Sequence, residues 1–189
     1  MPVYLETPLT KEKLKTLQVG DQVLLSGTIY TARDAAHKRL VTQIKNKETL
    51  PISLTNEIIY YMGPSPARPN QVIGSAGPTT SYRMDAYTPL LLEQGLLGMI
   101  GKGKRSEAVR MSIQKHQSIY FAAIGGAGAL LSHRIKSAEM IAYKDLATEA
   151  IRKLVVEDFP IIVAIDIKGN DIYRDSKKKY RKLELFSKK

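Results

Sequence analysis

The sequence contains no cysteine among its 189 residues. A chain without cysteine cannot form a disulfide, use a thiolate nucleophile, or bind zinc or an iron–sulfur cluster through its own sulfur atoms. Its three histidines, His37, His116 and His133, are too few and too scattered for a zinc site made by this chain alone. If the protein works with a metal, we therefore expect another chain to supply the ligands.

Long apolar runs and a secretion signal are also missing. No apolar stretch approaches the length of a membrane span. The start of the chain, Met1–Thr7, has neither the basic residues nor the apolar core of a signal peptide. We therefore expect a cytoplasmic protein with no membrane partner. A hydrophobic content of 43% at this length is enough for one domain with a substantial core.

Acidic residues are few beside basic ones, with 18 against 29, which gives a net charge of +11. Such a charge indicates an anionic partner: nucleic acid, an acidic small molecule or an acidic subunit. Part of it lies in a lysine-rich tail, residues 176–189, whose aromatics Tyr180 and Phe186 are too sparse to stack on bases. Basic tails are most often simply solvated. A nucleic-acid or scaffold-binding domain remains an alternative, with nucleic acid the less favoured partner.

Strand-like apolar runs alternate with helix-like segments along residues 1–175. This alternation predicts a single layered α/β domain with a mixed sheet and helices. The predicted strands are 22–30, 57–62, 96–100, 118–124 and 161–167, with the end of another at 71–73. The predicted helices are 11–17, a start at 31–39, 87–94, 106–117, a run from 128 to 135, and 143–154.

The stretch Gly74–Asp85 combines small residues, adjacent hydroxyls, an arginine and an aspartate. Its Gly-Pro pair is a turn signal, and Thr79 or Thr80 is a suitable helix N-cap. Unpaired N–H groups at a helix start and the guanidinium of Arg83 one turn later both suit a carboxylate. The stretch therefore predicts an anion site with hydroxyls at its rim. The alternative is a capped helix with a surface arginine.

A second polar junction follows the strand that ends near Tyr30. Here Arg33 and His37 lie four residues apart on one face of a predicted helix, and Asp34 and Lys38 can pair on the adjacent face. The alternative is a solvated helix with an ion pair.

Three such junctions place a cation at a strand end: Arg33, Arg83 and Lys102. In open α/β sheets, ligands bind outside the carboxyl ends of the strands. Three cations that converge there would suit a dianionic substrate such as a dicarboxylate. The glycines around Lys102 do not form a phosphate-binding loop, because the spacing is wrong and no Ser or Thr follows the lysine directly.

The glycine-rich stretch Gly125–Gly128 superficially matches a dinucleotide-binding fingerprint. The third glycine of that fingerprint is missing, and no acidic residue ends a following strand at the required distance. We therefore interpret this stretch as close packing of a helix on the sheet.

Five segments together carry a family resemblance: Gly27–Arg39, Gly77–Asp85, Gly101–Gly103, Val156–Pro160 and Asp166–Asp171. In these segments the chain resembles the β subunit, or C-terminal domain, of class I fumarases and L-tartrate dehydratases. The resemblance implies an iron–sulfur hydro-lyase whose [4Fe–4S] cluster is held by three cysteines of a partner α subunit. It also implies a swivelling β/β/α-type domain over residues 1–175, an α2β2 assembly, and no activity for this chain alone.

The resemblance also implies roles for individual residues. Arg33, Arg83 and Lys102 would bind the substrate carboxylates, Thr79 would be the catalytic base that takes the C3 proton of malate, and Thr80 would contact substrate. A threonine can act as a base only if neighbouring cations stabilise its alkoxide in a closed, dry site.

His37 and Asp34 are expected to contact these residues and not the substrate itself. His37 would orient Arg33 or touch the α subunit, or else simply complete local packing. No metal ligand is expected in this chain.

The same segments bear on the substrate. The alanines around the Arg-Asp pair, Ala32 and Ala35-Ala36, and the stretch Val156–Pro160 look more like the fumarase branch. Tartrate dehydratases tend to carry cysteine near that Arg-Asp pair, which this chain lacks. The resemblance therefore favours the interconversion of fumarate and (S)-malate over the dehydration of L-tartrate to oxaloacetate.

Overall fold

The computed structural model describes residues 1–180, and side chains for residues 1–176. In this part of the chain the strands are β1 (Val3–Glu6), β2 (Gln22–Thr31), β3 (Ile58–Tyr60), β4 (Gly98–Gly101), β5 (Ile119–Ala122), β6 (Ile135–Ala142) and β7 (Ile151–Ile165). The α-helices are α1 (Lys11–Lys15), α2 (Asp34–Lys45), α3 (Thr88–Glu93), α4 (Glu107–His116), α5 (Gly128–Ser132) and α6 (Ile172–Tyr180). We call Ser81–Met84 and Lys144–Glu149 the first and the second 3-10 helix.

The strands form one mixed sheet that closes into a barrel. Strands β2, β3, β4 and β5 pair in parallel, and β7 runs antiparallel to both β5 and β2. The pairing of β7 with β2 closes a five-stranded ring, while β1 pairs beside β2 and β6 beside β7. The predicted mixed α/β class is confirmed. The closure of the sheet is a feature that the sequence pattern does not predict.

Side chains of the central strands alternate between the inside of the barrel and its helix-covered outside. Ile58 and Tyr60 of β3 belong to an inner apolar cluster, whereas Ile59 between them belongs to an outer one. This is the two-residue period of a strand. Helices α2, α3 and α4 cover the outer cluster with buried side chains such as Leu40 and Leu91. Each fully buried aliphatic side chain contributes about 1.5–3 kcal/mol relative to exposure.

The carboxyl ends of β2, β3 and β4 lie at one edge of the barrel, because these strands are parallel neighbours. They end at Thr31, Tyr60 and Gly101. Arg33 and Lys102 follow β2 and β4 within two residues. Of the three cations predicted at strand ends, Arg33 and Lys102 therefore lie at this edge directly after strands, whereas Arg83 lies in the first 3-10 helix and follows no regular strand.

The predicted helix 143–154 is wrong. Its apolar residues recur at helical spacing, but the second 3-10 helix ends at Glu149 and β7 begins at Ile151. The start of β7 pairs with β6 on one side and with β2 on the other, so long-range pairing overrides the local pattern. Strand β6 was likewise not predicted, and the helical run expected up to 135 ends at Ser132.

The strand end predicted at 71–73 is also wrong, because these residues lie in an irregular loop. The helix predicted at 87–94 is α3, with Pro89 in its first turn, whereas the helix start predicted at Thr79 or Thr80 is the separate first 3-10 helix. The predicted tail, 176–189, lies outside the described residues except where α6 continues to Tyr180. Among the described helices, none has the length and apolar character needed to cross a bilayer.

Candidate active site

Thr79 and Lys102 are main-chain neighbours at the edge of the barrel. The Thr79 N–H donates to the carbonyl of Tyr61 at 2.7 Å, just beyond the end of β3. The Lys102 N–H donates to the carbonyl of Thr79 at 3.3 Å, and the Ser81 N–H donates to the carbonyl of Lys102 at 2.9 Å. Residues 79–81 therefore extend the sheet between β3 and β4, which fixes Thr79 beside Lys102.

The first 3-10 helix begins directly after this short extension. Thr80 occupies its N-cap position, but its side chain makes no cap hydrogen bond. A single turn of 3-10 helix replaces the longer helix predicted here, so anion binding at a helix N-terminus is not supported. The hydroxyl of Thr80 lies on an exposed residue, and Thr79 is half-buried.

Arg33 and Arg83 meet through Asp34. The Arg83 Nε lies 2.8 Å from Asp34 Oδ1, and the Arg33 Nη2 lies 3.8 Å from Asp34 Oδ2. The predicted pair of Asp34 with Lys38 is therefore wrong. Asp34 pairs with Arg83 instead, because the first 3-10 helix packs against the start of α2. The side chain of Arg83 is 50% exposed and that of Arg33 only 21%. Asp34 holds Nε of Arg83, which leaves the two terminal nitrogens for another acceptor.

Arg33 is held from a second direction by Glu149, which the sequence analysis did not single out. The Arg33 Nη2 lies 3.5 Å from Glu149 Oε1, and the other Glu149 oxygen accepts the Ala35 N–H at 2.8 Å. Glu149 therefore caps the N-terminus of α2 from 114 positions away in the chain. No local signal in the sequence could have linked residues so distant.

The side chain of Lys102 lies beside the glycine-rich loop. A Cβ on Gly125 would stand 3.5 Å from the Lys102 Cδ and 4.0 Å from its Nζ. A Cβ on Gly128 would stand 2.9 Å from the backbone nitrogen of Gly77. Gly128 does pack closely, but on the loop before Thr79, so the predicted packing of a helix on the sheet is wrong as to the partner.

His37 is fully buried behind Arg33. Its Nδ1 donates to the Arg33 carbonyl at 2.9 Å, and its ring meets that of Tyr61 edge to face with centroids 5.2 Å apart. Burial lowers the pKa of His37 to about 4, so the ring is neutral at pH 7. His37 contacts the main chain of Arg33 and not its guanidinium, so any effect on Arg33 acts through the start of α2.

A buried polar network around Arg105 holds the residues that follow the first 3-10 helix. The fully buried Arg105 donates its Nε to Asp85 at 2.6 Å and its Nη2 to Thr88 at 2.6 Å. Its guanidinium lies over the rings of Tyr61 and Tyr120, 5.3 Å and 5.0 Å from their centroids. Burial opposes its charge, but these rings and the carboxylate leave the pKa of Arg105 raised.

This network was missed by the sequence analysis, although one signal was present. Asp85 lies seven residues before Leu92, so a helix continued back from the predicted helix 87–94 would place it on the same face as this apolar residue. An acidic residue at such a position requires a buried partner. The partner, Arg105, lies 20 residues away and could not be identified from spacing.

The described residues contain no group of three His, Asp or Glu side chains that could hold a metal ion. The sequence also provides no cysteine. The donor set of this chain therefore does not fit an iron–sulfur cluster.

A family profile described as "Fumarase C-terminus" matches residues 1–176. The chain belongs to the fumarase C-terminal family. This fumarase C-terminal domain is 41% identical to "Fumarate hydratase class I, aerobic" of Escherichia coli (strain K12) over 164 residues, which are 86% of this chain and 30% of that protein. It is 39% identical to "Fumarate hydratase 2" of Leishmania major over 175 residues, 90% of this chain and 31% of that protein.

A third relative has nearly the same length as this fumarase C-terminal domain. It is "Putative L(+)-tartrate dehydratase subunit beta" of Methanocaldococcus jannaschii, 39% identical over 187 residues, 95% of this chain and 96% of that protein. The chain thus spans less than a third of the two fumarate hydratases but almost all of this relative. The predicted resemblance is confirmed at the level of the family.

Proposed function

We propose that this chain is the β subunit of an iron–sulfur hydro-lyase that interconverts fumarate and (S)-malate. It would be active only when bound to a cysteine-bearing α subunit. A length that matches a protein named as a subunit beta supports a two-subunit enzyme, and we propose the α2β2 assembly that the resemblance implies. In that assembly the α subunit would hold the cluster.

One observation carries this proposal: a hydroxyl and three cations gather at the same barrel edge. Thr79 and Lys102 are joined by main-chain hydrogen bonds, and Arg33 and Arg83 are joined by contacts to Asp34. Guanidinium and ammonium groups are the usual partners of carboxylates in proteins. A C4 dicarboxylate needs such donors for both of its ends.

The chemistry expected of these side chains is the removal of a proton. In the dehydration of (S)-malate, the Thr79 alkoxide would take the proton from C3, the C2=C3 double bond would form, and the C2–O bond would break to release hydroxide. Return of that proton to the hydroxide gives water and regenerates the alkoxide. The threonine hydroxyl is a very weak acid, so its alkoxide requires a nearby positive charge and little water. Lys102 is the cation tied to Thr79 by the main chain.

Closure of the domain over the substrate fits this requirement. The edge is open in the chain by itself, since Thr80 and Arg83 are exposed. We propose that the domain swivels as a β/β/α-type unit and brings this edge against the α subunit, so that water leaves the site. The mixed barrel with its covering helices is compatible with such a unit.

The dehydration of L-tartrate is the second candidate, favoured by the relative that matches this chain over its full length. L-Tartrate differs from (S)-malate by one additional hydroxyl group, at C3, so the same cations could bind the carboxylates of both. A non-catalytic nucleic-acid or scaffold-binding domain, suggested by the net charge of +11, remains a further alternative.

The test is turnover of fumarate and L-tartrate, measured without oxygen, after co-expression with a cysteine-bearing α subunit from the same source and reconstitution of the cluster. We expect activity on fumarate. Activity on tartrate alone would keep the reaction class and change the substrate. No turnover of either substrate, with the cluster and the complex intact, would overturn the proposal.

Thr79→Ala tests the base in the same complex. We expect a loss of about 10²- to 10⁴-fold in kcat, the usual contribution of a general base, with the complex still assembled. Thr79→Ser is the matched control, since it retains the hydroxyl and should keep a measurable part of the activity. Full activity of the alanine variant would remove Thr79 from this role.

A further inference from the structure

Glu149, the last residue of the second 3-10 helix, contacts both the N-terminus of α2 and the side chain of Arg33. One of its carboxylate oxygens accepts the N–H of Ala35 in the first turn of α2, and the other lies 3.5 Å from the Arg33 guanidinium. The side chain of Glu149 is only 22% exposed. A single carboxylate therefore contacts both the start of the helix and the arginine that precedes it.

The other contacts of Arg33 do not fix its guanidinium equally well. Asp34 lies farther away, at 3.8 Å, and the buried Nε of Arg33 has no hydrogen-bond partner. The main chain at Gly63 also lies close to Arg33: a Cβ on Gly63 would stand 3.0 Å from the Arg33 Nη1 and 2.8 Å from the Thr148 carbonyl oxygen. Arg33 therefore lies in a slot between the end of β3 and the second 3-10 helix.

The second 3-10 helix is anchored independently of Arg33. Asp145 accepts two hydrogen bonds from Arg39 of α2, at 2.9 Å and 2.7 Å. The Arg152 side chain donates to the carbonyls of Ala147 and Thr148. Ala147 itself has φ 51° and ψ −108°, a rarely populated conformation that persists only where the surroundings impose it. The conformation of the second 3-10 helix is thus held by contacts that do not involve Arg33.

We propose that Glu149 is a positioning residue for Arg33. Its carboxylate holds the guanidinium in its slot, so that the second 3-10 helix sets the direction in which Arg33 presents its remaining donors. A long side chain that is ordered in advance loses less freedom when it binds a carboxylate. The consequence for catalysis rests on the proposed function, in which Arg33 binds a substrate carboxylate.

The first experiment observes Arg33 directly in the full chain, without substrate or partner. In ¹⁵N-labelled protein, the Nε–H signal of Arg33 is assigned as the one that disappears in Arg33→Lys. We expect Glu149→Gln to increase the ps–ns motion of this group, seen as a lower order parameter. The glutamine still offers an oxygen to the Ala35 N–H, so the helix cap survives.

Asp145→Asn is the matched control, because it weakens the other acidic contact of the same segment with α2 and does not touch Arg33. It should leave the Arg33 signal unchanged. If the Arg33 Nε–H is as ordered in Glu149→Gln as in the wild type, the proposal is wrong, whatever the enzyme does.

The second experiment measures fumarate turnover by the reconstituted complex. We expect Glu149→Gln to raise KM about three- to tenfold, the cost of ordering one long side chain at binding, with kcat changed less than about twofold. In an Arg33→Lys background the same substitution should change KM by less than about twofold, since no guanidinium remains to be oriented.

The outcomes separate this proposal from the proposed function. A lower KM in Glu149→Gln would show that Glu149 competes with substrate and would overturn the positioning role, as would an equal rise in both backgrounds. A wild-type complex without hydro-lyase activity would refute the proposed function, while the order parameter of Arg33 would still decide the role of Glu149.

Discussion

Asp85→Asn should strongly destabilise the fold, because it leaves the guanidinium of Arg105 buried without its counter-charge. The Arg105 side chain has no exposed surface and that of Asp85 is 8% exposed. The Arg105 Nε lies 2.6 Å from one Asp85 oxygen, and the other oxygen accepts the Ser106 N–H. Breaking a buried pair of this kind costs about 3–5 kcal/mol.

Asparagine cannot replace the lost contacts. Its side chain has one acceptor oxygen, whereas the carboxylate of Asp85 faces two donors from Arg105 and Ser106. One donor would therefore face the amide NH2 group. The remaining hydrogen-bond partners of the Arg105 guanidinium, Thr88, Tyr61 and Met99, are neutral and cannot supply the missing charge.

The assay is unfolding of the full chain by urea and by heat, followed by circular dichroism. For a domain of this size we expect a fall in Tm of about 6–20 °C, from about 2–4 °C for each kcal/mol. Asp145→Asn is the matched control, because the carboxylate of Asp145 also accepts two hydrogen bonds, both from Arg39, but lies on an exposed surface. Exposed pairs contribute little, so the control should unfold at the wild-type midpoint.

A double substitution decides whether the reasoning is correct. Adding Arg105→Met to Asp85→Asn removes the unpaired charge, and the double variant should recover part of the lost stability. A loss of less than about 1 kcal/mol in Asp85→Asn, below the usual cost of an unpaired buried charge, would refute the argument. So would a double variant less stable than the single one.

Two further predictions concern His37 and the glycine contact before Thr79. Between pH 6.5 and about 4, His37 binds a proton in the unfolded chain but not in the folded protein, where it is buried. The free energy of unfolding should therefore fall as the pH falls, by up to about 3 kcal/mol. The urea midpoint of His37→Asn should depend less on pH in this range than that of the wild type. Gly128→Ala places a Cβ 2.9 Å from the Gly77 nitrogen and should cost about 1–3 kcal/mol. Gly77→Ala, whose Cβ would be 3.5 Å from the nearest atom, should unfold near the wild-type midpoint.

The parts of the site that could be predicted from sequence are those set by short-range order. Arg33 and Lys102 follow apolar strands directly, and parallel strands bring their carboxyl ends to one edge. Thr79 and Lys102 were not predicted to be neighbours, because residues 79–81 pair with the sheet without forming a regular strand. The role of Thr79 came from the family resemblance alone.

The parts that could not be predicted depend on long-range closure of the sheet. Once β7 pairs with both β5 and β2, the segment before it is carried to the start of α2. Glu149 reaches Ala35 only through this closure, and its local sequence favours a helix that does not form. The pairing of Asp34 with Arg83 over Lys38 depends on the packing of the first 3-10 helix against α2, and this tertiary contact outweighs a weak contact within one helix.

The charge at the barrel edge indicates what a partner must provide. The cations Arg33, Arg83 and Lys102 and the carboxylates of Asp34 and Glu149 leave one net positive charge, whereas a dicarboxylate brings two negative ones. The half-exposed Arg83 is also weakened by solvent. An alkoxide on Thr79 would add a third negative charge and is not sustainable beside water. In the proposed complex, the α subunit would therefore have to exclude solvent from this edge and bring positive charge to it.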